Sequence, residues 1–129
     1  MEGKLRYRRS AIAAAFLALA ACAPRLEAPR DFNVFFETDR AELTPEAHQV
    51  IAQIADDAHK LAPRKIVVAG RADGGTAHDA TLADTRATAV IGALLERGVP
   101  ADQIEKQADA PPPDRTGIAA HQVVVRFLP

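Results

Sequence analysis

Lys65-Ile66-Val67-Val68-Ala69-Gly70-Arg71-Ala72-Asp73 is the stretch on which the fold turns. Its first five residues are almost continuously apolar and β-branched, the pattern of a buried strand. Gly70 then permits the chain to turn, and residues 71–79 form a loop rich in Asp and Gly. An amphipathic helix flanks this unit on each side. Upstream, Thr44 reads as an N-cap and Pro45 as the first helical residue. Ala47, Val50, Ile51, Ile54, Ala55, Ala58 and Leu61 then make one apolar stripe, which Pro63 ends. Downstream, Thr81-x-x-Asp84 has capping-box form and predicts a helix start near Thr81. The stripe that follows is Ala83, Ala87, Val90, Ile91, Leu94 and Leu95, with Gly98 past the end and Pro100 preventing continuation.

Shorter elements complete the order. Phe32-Asn33-Val34-Phe35-Phe36 alternates as a strand, with Phe32, Val34 and Phe36 on one face. A short turn at residues 101–103 leads into a weak strand over 104–108, and Pro111-Pro112-Pro113 is a stiff extended loop. Residues 122–128 form the last strand, with Val123, Val125 and Phe127 on one face. The order β-α-β-α-β-β predicts an α+β fold of two layers, both helices on one face of a small mixed sheet.

The N-terminal residues read as an address. Lys4, Arg6, Arg8 and Arg9 precede an apolar run from Ala11 to Ala21, and the only cysteine, Cys22, follows Leu19-Ala20-Ala21. A basic region, a short apolar region and small residues before a cut are the parts of a secretory signal. The apolar run is well short of the ~20 residues that span a bilayer. The run ending in Cys22 resembles a bacterial lipobox, which implies a signal peptide over 1–21 and lipidation of Cys22. A plain signal peptide ending near a free thiol is the alternative. Residues 22–31 read as the lipidated cysteine and a linker, and 32–129 as the domain. The nine linker residues after Cys22 reach at most roughly 30 Å.

Loss of residues 1–21 removes four cations and one anion, which takes the net charge from −1 to −4. That sum argues against nucleic acid as a partner and against a polybasic hold on anionic lipid. With Cys22 acylated no thiol remains, and no serine lies beyond Ser10, so serine and cysteine nucleophiles are absent. An enzyme is not expected, and neither is a cofactor. There is no Trp, so a polymer of the cell envelope would have to be held by ionic and hydrogen-bond contacts. His48 and His59 lie about three turns apart on one helix, too far for one metal. His78 with Asp73 and Asp79 is a thin donor set, so no metal site is expected. Asp56-Asp57 reads as a solvated helix face.

Taken together, Phe36 with Leu43-Thr44-Pro45-Glu46-Ala47, Val67 to Asp73, Leu82 to Val90, and Leu94 to Ile104 resemble the OmpA-like peptidoglycan-binding domain family. The resemblance runs from Phe32 to Phe127. It implies non-covalent binding of the diaminopimelate in the peptidoglycan stem peptide, by Asp73 through its ammonium and Arg86 through its carboxylate. One carboxylate and one guanidinium would complement the two charges on one carbon. Asp79 and the backbone after Gly74 are lesser candidates. On the expected helix start, Arg86 falls little more than a turn inside, so helix N–H groups and guanidinium would face one spot.

The chain departs from the family pattern in several places. Ala72 stands for Thr, Arg71 for His and Asp79 for Asn. The loop is about two residues short, and no Gly-Glu pair is seen around Gln107 to Asp109. Ala120-His121-Gln122 stands for Asn-Arg-Arg. Arg71 is expected on the same face as Asp73, where it would compete with the ligand ammonium. Two functions follow. One is an outer-membrane lipoprotein that tethers membrane to wall, with envelope proteins as further partners. The other is a degenerate domain serving as a structural subunit of an envelope-spanning assembly.

Overall fold

The computed structural model describes residues 24–71, 76–108 and 121–129. Cys22, the signal residues, Asp73, Gly74 and the three prolines at 111–113 lie outside the described residues. In chain order the elements are β1 (Arg30–Phe35), α1 (Pro45–Leu61), β2 (Lys65–Gly70), α2 (Ala77–Glu96), a 3₁₀ turn (Ala101–Gln103), β3 (Ile104–Ala108) and β4 (Gln122–Leu128). The sheet runs β1-β4-β2-β3. β4 is antiparallel to both β1 and β2, and β2 is parallel to β3. The expected α+β architecture, with both helices on one face of a mixed sheet, is the one found.

Burial explains the alternation. Val34 on β1, Ile66 and Val68 on β2, and Val123, Val125 and Phe127 on β4 face the helices and are fully buried. They meet Ile51 and Ile54 of α1 and Val90 and Leu94 of α2. The Phe32 ring packs at a tilt against that of Phe127, with ring centroids 4.8 Å apart. Among the described residues every buried side chain lies between Val34 and Phe127.

The ends of α1 are as expected. Thr44 Oγ1 accepts the Ala47 N–H at 3.1 Å, and Pro45 follows. Ala62 takes a left-handed cap (φ 44°) just before Pro63. α2 ends in a paired motif, with Val99 N–H donating to Leu94 O at 3.1 Å and Gly98 N–H to Leu95 O at 3.0 Å. Gly98 carries the positive φ (83°) that this motif requires.

Four expectations change. β1 starts at Arg30 rather than Phe32, and Leu26, read as linker, packs against the core. Gly70 is not needed for a turn: a Cβ there would stand 1.9 Å from the Ala83 carbonyl oxygen, so glycine lets α2 lie directly on β2. α2 starts four residues before Thr81, capped by Thr76. Its buried stripe is Arg86, Ala87, Val90, Ala93 and Leu94, while Leu95 is 41% exposed. Leu95 lies one residue off the i, i+3, i+4 row that the others follow. No helix among the described residues is long and apolar enough to cross a membrane.

Candidate functional site

The loops after β1 and β2 open at the same end of the sheet, where β4 begins. Phe36 N–H donates to His121 O at 2.7 Å, and Arg71 N–H donates to Gln122 O at 2.9 Å. These bonds place the β1–α1 turn, the first residue of the β2–α2 loop and the start of β4 side by side.

Arg86 joins them from beneath. It lies on the buried row of α2 and has no exposed surface. Its Nε–H donates to Arg40 O at 2.8 Å, Nη1–H to Arg71 O at 3.1 Å and Nη2–H to Glu37 O at 3.0 Å. Its Cζ stands 5.4 Å from the centroid of the Phe36 ring, a cation–π distance. One guanidinium thus holds two loops through three carbonyls. The fixed fork of Arg suits this task, and a Lys ammonium would not reproduce it.

Asp79 has a different setting from the one expected. Thr76 N–H donates to Asp79 Oδ2, and Asp79 N–H donates to Thr76 Oγ1, each at 3.2 Å. The Thr76 hydroxyl bonds the same carboxylate. This is a closed capping box, so the acceptor expected to face a ligand is engaged by its own helix start. With α2 beginning at Ala77, Arg86 lies about two and a half turns inside rather than little more than one. The helix N-terminus and the guanidinium therefore do not converge on one spot. Arg86 instead converges on the carbonyl of Arg71, two residues before Asp73.

The Arg71 side chain is half-buried, and its charge reaches the outer face of the sheet. There the Asp31 carboxyl is held below its usual range, chiefly by two hydrogen bonds from Arg126, with further help from the charges of Arg126 and Arg71. Sequence reasoning missed Thr76, the carbonyls of Glu37 and Arg40, and the burial of Arg86. A signal for the last was present: Arg86 is three residues after Ala83 and four before Val90. Among the described residues no group of three or more His, Cys, Asp or Glu could hold a metal.

A family model described as OmpA family matches residues 35–124. The chain belongs to the OmpA family. Among the relatives of this OmpA-family chain is outer membrane protein A of Citrobacter freundii, 33% identical over 76 residues. That match covers 56% of this chain and 32% of the relative, so the chain spans about a third of the curated protein it matches. The OmpA-like domain of FopA1 from Francisella tularensis has the same fold, with TM-score 0.67, 17% identity, and coverage of 77% of this chain and 71% of that one. The peptidoglycan-associated lipoprotein from Burkholderia pseudomallei follows at TM-score 0.57 and 22% identity, covering 74% of this chain and 87% of that one. The family expected from the motifs is therefore the family found.

Proposed function

We propose that this chain is a non-enzymatic lipoprotein that binds peptidoglycan and holds the outer membrane to the wall. Asp73 takes the ammonium of the stem-peptide diaminopimelate, and Arg86 supplies the opposing positive charge from the floor of the site. The observation that carries this reading is Arg86, fully buried and bonded to the carbonyl of Arg71, the residue that leads into Ala72-Asp73. In a medium of low dielectric such a cation attracts a carboxylate more strongly than it would at the surface. Membership of the OmpA family supports the wall as the partner, and the named lipoprotein from Burkholderia supports the same class. Cys22 is the lipidated residue and the outer membrane the site of anchoring in this reading. Asp79 is a lesser contact, because its carboxylate also closes the cap of α2.

The second reading, a structural subunit without wall binding, is favoured by Ala120-His121-Gln122, which lacks the paired arginines of the family pattern. Sedimentation of the chain from Pro24 to Pro129 with isolated sacculi separates the two. Wild type is expected in the pellet and Asp73→Ala in the supernatant. Wild type remaining in the supernatant would contradict wall binding, and equal pelleting of both would overturn the assignment of Asp73.

A further inference from the structure

A net charge of −4 beyond residue 21 conceals a division between the two ends of the domain. Among the described residues, Arg40, Lys65, Lys106 and Arg126 are in ion pairs. Arg86 is bonded to carbonyls, and Arg71 is engaged as well. The remaining five, Arg25, Arg30, Lys60, Arg64 and Arg97, are exposed and take part in no ion pair with a described residue.

All five lie at the end of the sheet opposite Arg86. Arg30 opens β1 and faces Phe127 across the ladder. Arg64 precedes β2, and its N–H donates to Leu128 O at 2.9 Å. Lys60 is in the last turn of α1, and Arg97 caps the C-terminus of α2. Arg25 and Arg30 line an open hollow of about 320 Å³ together with Leu26, Glu27, Pro29 and Leu61. The carboxylates at this end with no ion pair to a described residue include Glu27, Glu96 and Asp102, and Asp57 one turn before the end of α1, since Glu105 is paired with Lys65. At the other end Glu37, Asp39, Glu42 and Glu46 are all exposed, Glu37 and Glu42 in ion pairs with Arg40.

Helix dipoles account for Lys60 and Arg97, which sit at helix C-termini. They do not account for Arg25, Arg30 or Arg64, which lie outside both helices. We propose that this end is a docking surface for anionic phospholipid headgroups. Arg25, Arg30 and Arg64 would meet the phosphates, and Leu26, Pro29 and Leu61 in the hollow would lie against the glycerol region. The first described residue, Pro24, and the Arg25–Pro29 stretch lie at this end as well. The proposal stands apart from the wall-binding reading, because it uses none of the residues around Arg86.

The test is flotation of the Pro24–Pro129 chain with phosphatidylglycerol vesicles and with phosphatidylcholine vesicles. Binding is expected to phosphatidylglycerol alone and to fall as salt rises. Each Arg→Gln change at 25, 30 or 64 should weaken it by roughly fivefold. Arg40→Gln with Lys106→Gln, away from this end, should leave it unchanged. Equal binding to both vesicle types, no binding to either, or equal binding by the Arg→Gln variants and wild type would overturn the proposal. Sacculus pelleting is read in parallel. If the Arg→Gln variants lost the sacculus and kept the vesicles, the surface would be a wall contact and the proposal would fail. Asp73→Ala should lose the sacculus and keep the vesicles.

Discussion

At one end of the sheet Arg86 is wholly buried, with three of its N–H groups on the carbonyls of Glu37, Arg40 and Arg71. At the other end Arg25, Arg30 and Arg64 are exposed and form no ion pair with a described residue. The same side chain therefore does two jobs. Where it is buried, its donors build the backbone of a site. Where it is exposed, its charge remains available to an outside partner. The two uses predict opposite responses to mutation.

Removal of Arg86 should have the largest effect. Arg86→Ala leaves three carbonyls without their shared donor and opens a cavity where the fully buried side chain stood, and should cost about 3–5 kcal/mol in urea unfolding. Arg86→Lys should recover only part of this, because one ammonium cannot span three carbonyls with the geometry of the fork. A cost near zero would mean that the guanidinium does not hold the two loops. Next, Gly70→Ala forces a methyl against the Ala83 carbonyl and should cost about 3 kcal/mol, measured the same way. A neutral result would show that α2 can lift from β2 without penalty, and that the seat of Arg86 is soft.

The start of α2 gives a smaller and more selective effect. Thr76→Ala removes the N-cap and should cost about 1 kcal/mol. Thr81→Ala should cost little, because the Thr81 hydroxyl only bonds back to Ala77 O within the helix. The reverse order would restore the helix start read from the sequence. The ion pair between Asp31 and Arg126 should matter least. Its folded-state carboxyl titrates below the unfolded value, so its stabilisation is present above about pH 4 and is lost as the pH falls through the folded value. The Tm difference between wild type and Asp31→Asn should therefore close below that range. At the opposite end of the sheet, Arg25→Gln, Arg30→Gln and Arg64→Gln should leave Tm where it is, in contrast to Arg86.

Most of the fold was legible because the elements have separate periods. Thr44-Pro45, the β-branched run at 65–69 and the Gly98-Val99-Pro100 exit each carry a local signal that tertiary contacts did not override. The start of α2 was not legible, because Thr76-x-x-Asp79 and Thr81-x-x-Asp84 have the same form and only the first lies at the junction with the loop. The role of Gly70 was hidden, since close approach of a helix backbone leaves no mark within the strand itself. The site was half legible. Arg86 was singled out from the family motifs, but its burial was not read, because a charged residue on an apolar row reads as a solvated edge. Only the meeting of two loops at the start of β4 turns Arg86 into a floor.

The most direct measurement is a titration of the Pro24–Pro129 chain with a free stem peptide containing diaminopimelate, followed by backbone amide shifts. The shifts are expected at Glu37, Arg40, Arg71 and the residues that follow Arg71, and not at Arg30 or Arg64. Shifts centred on Arg30 and Arg64, or none at saturating peptide, would contradict the assignment of the Arg86 end as the wall-binding site.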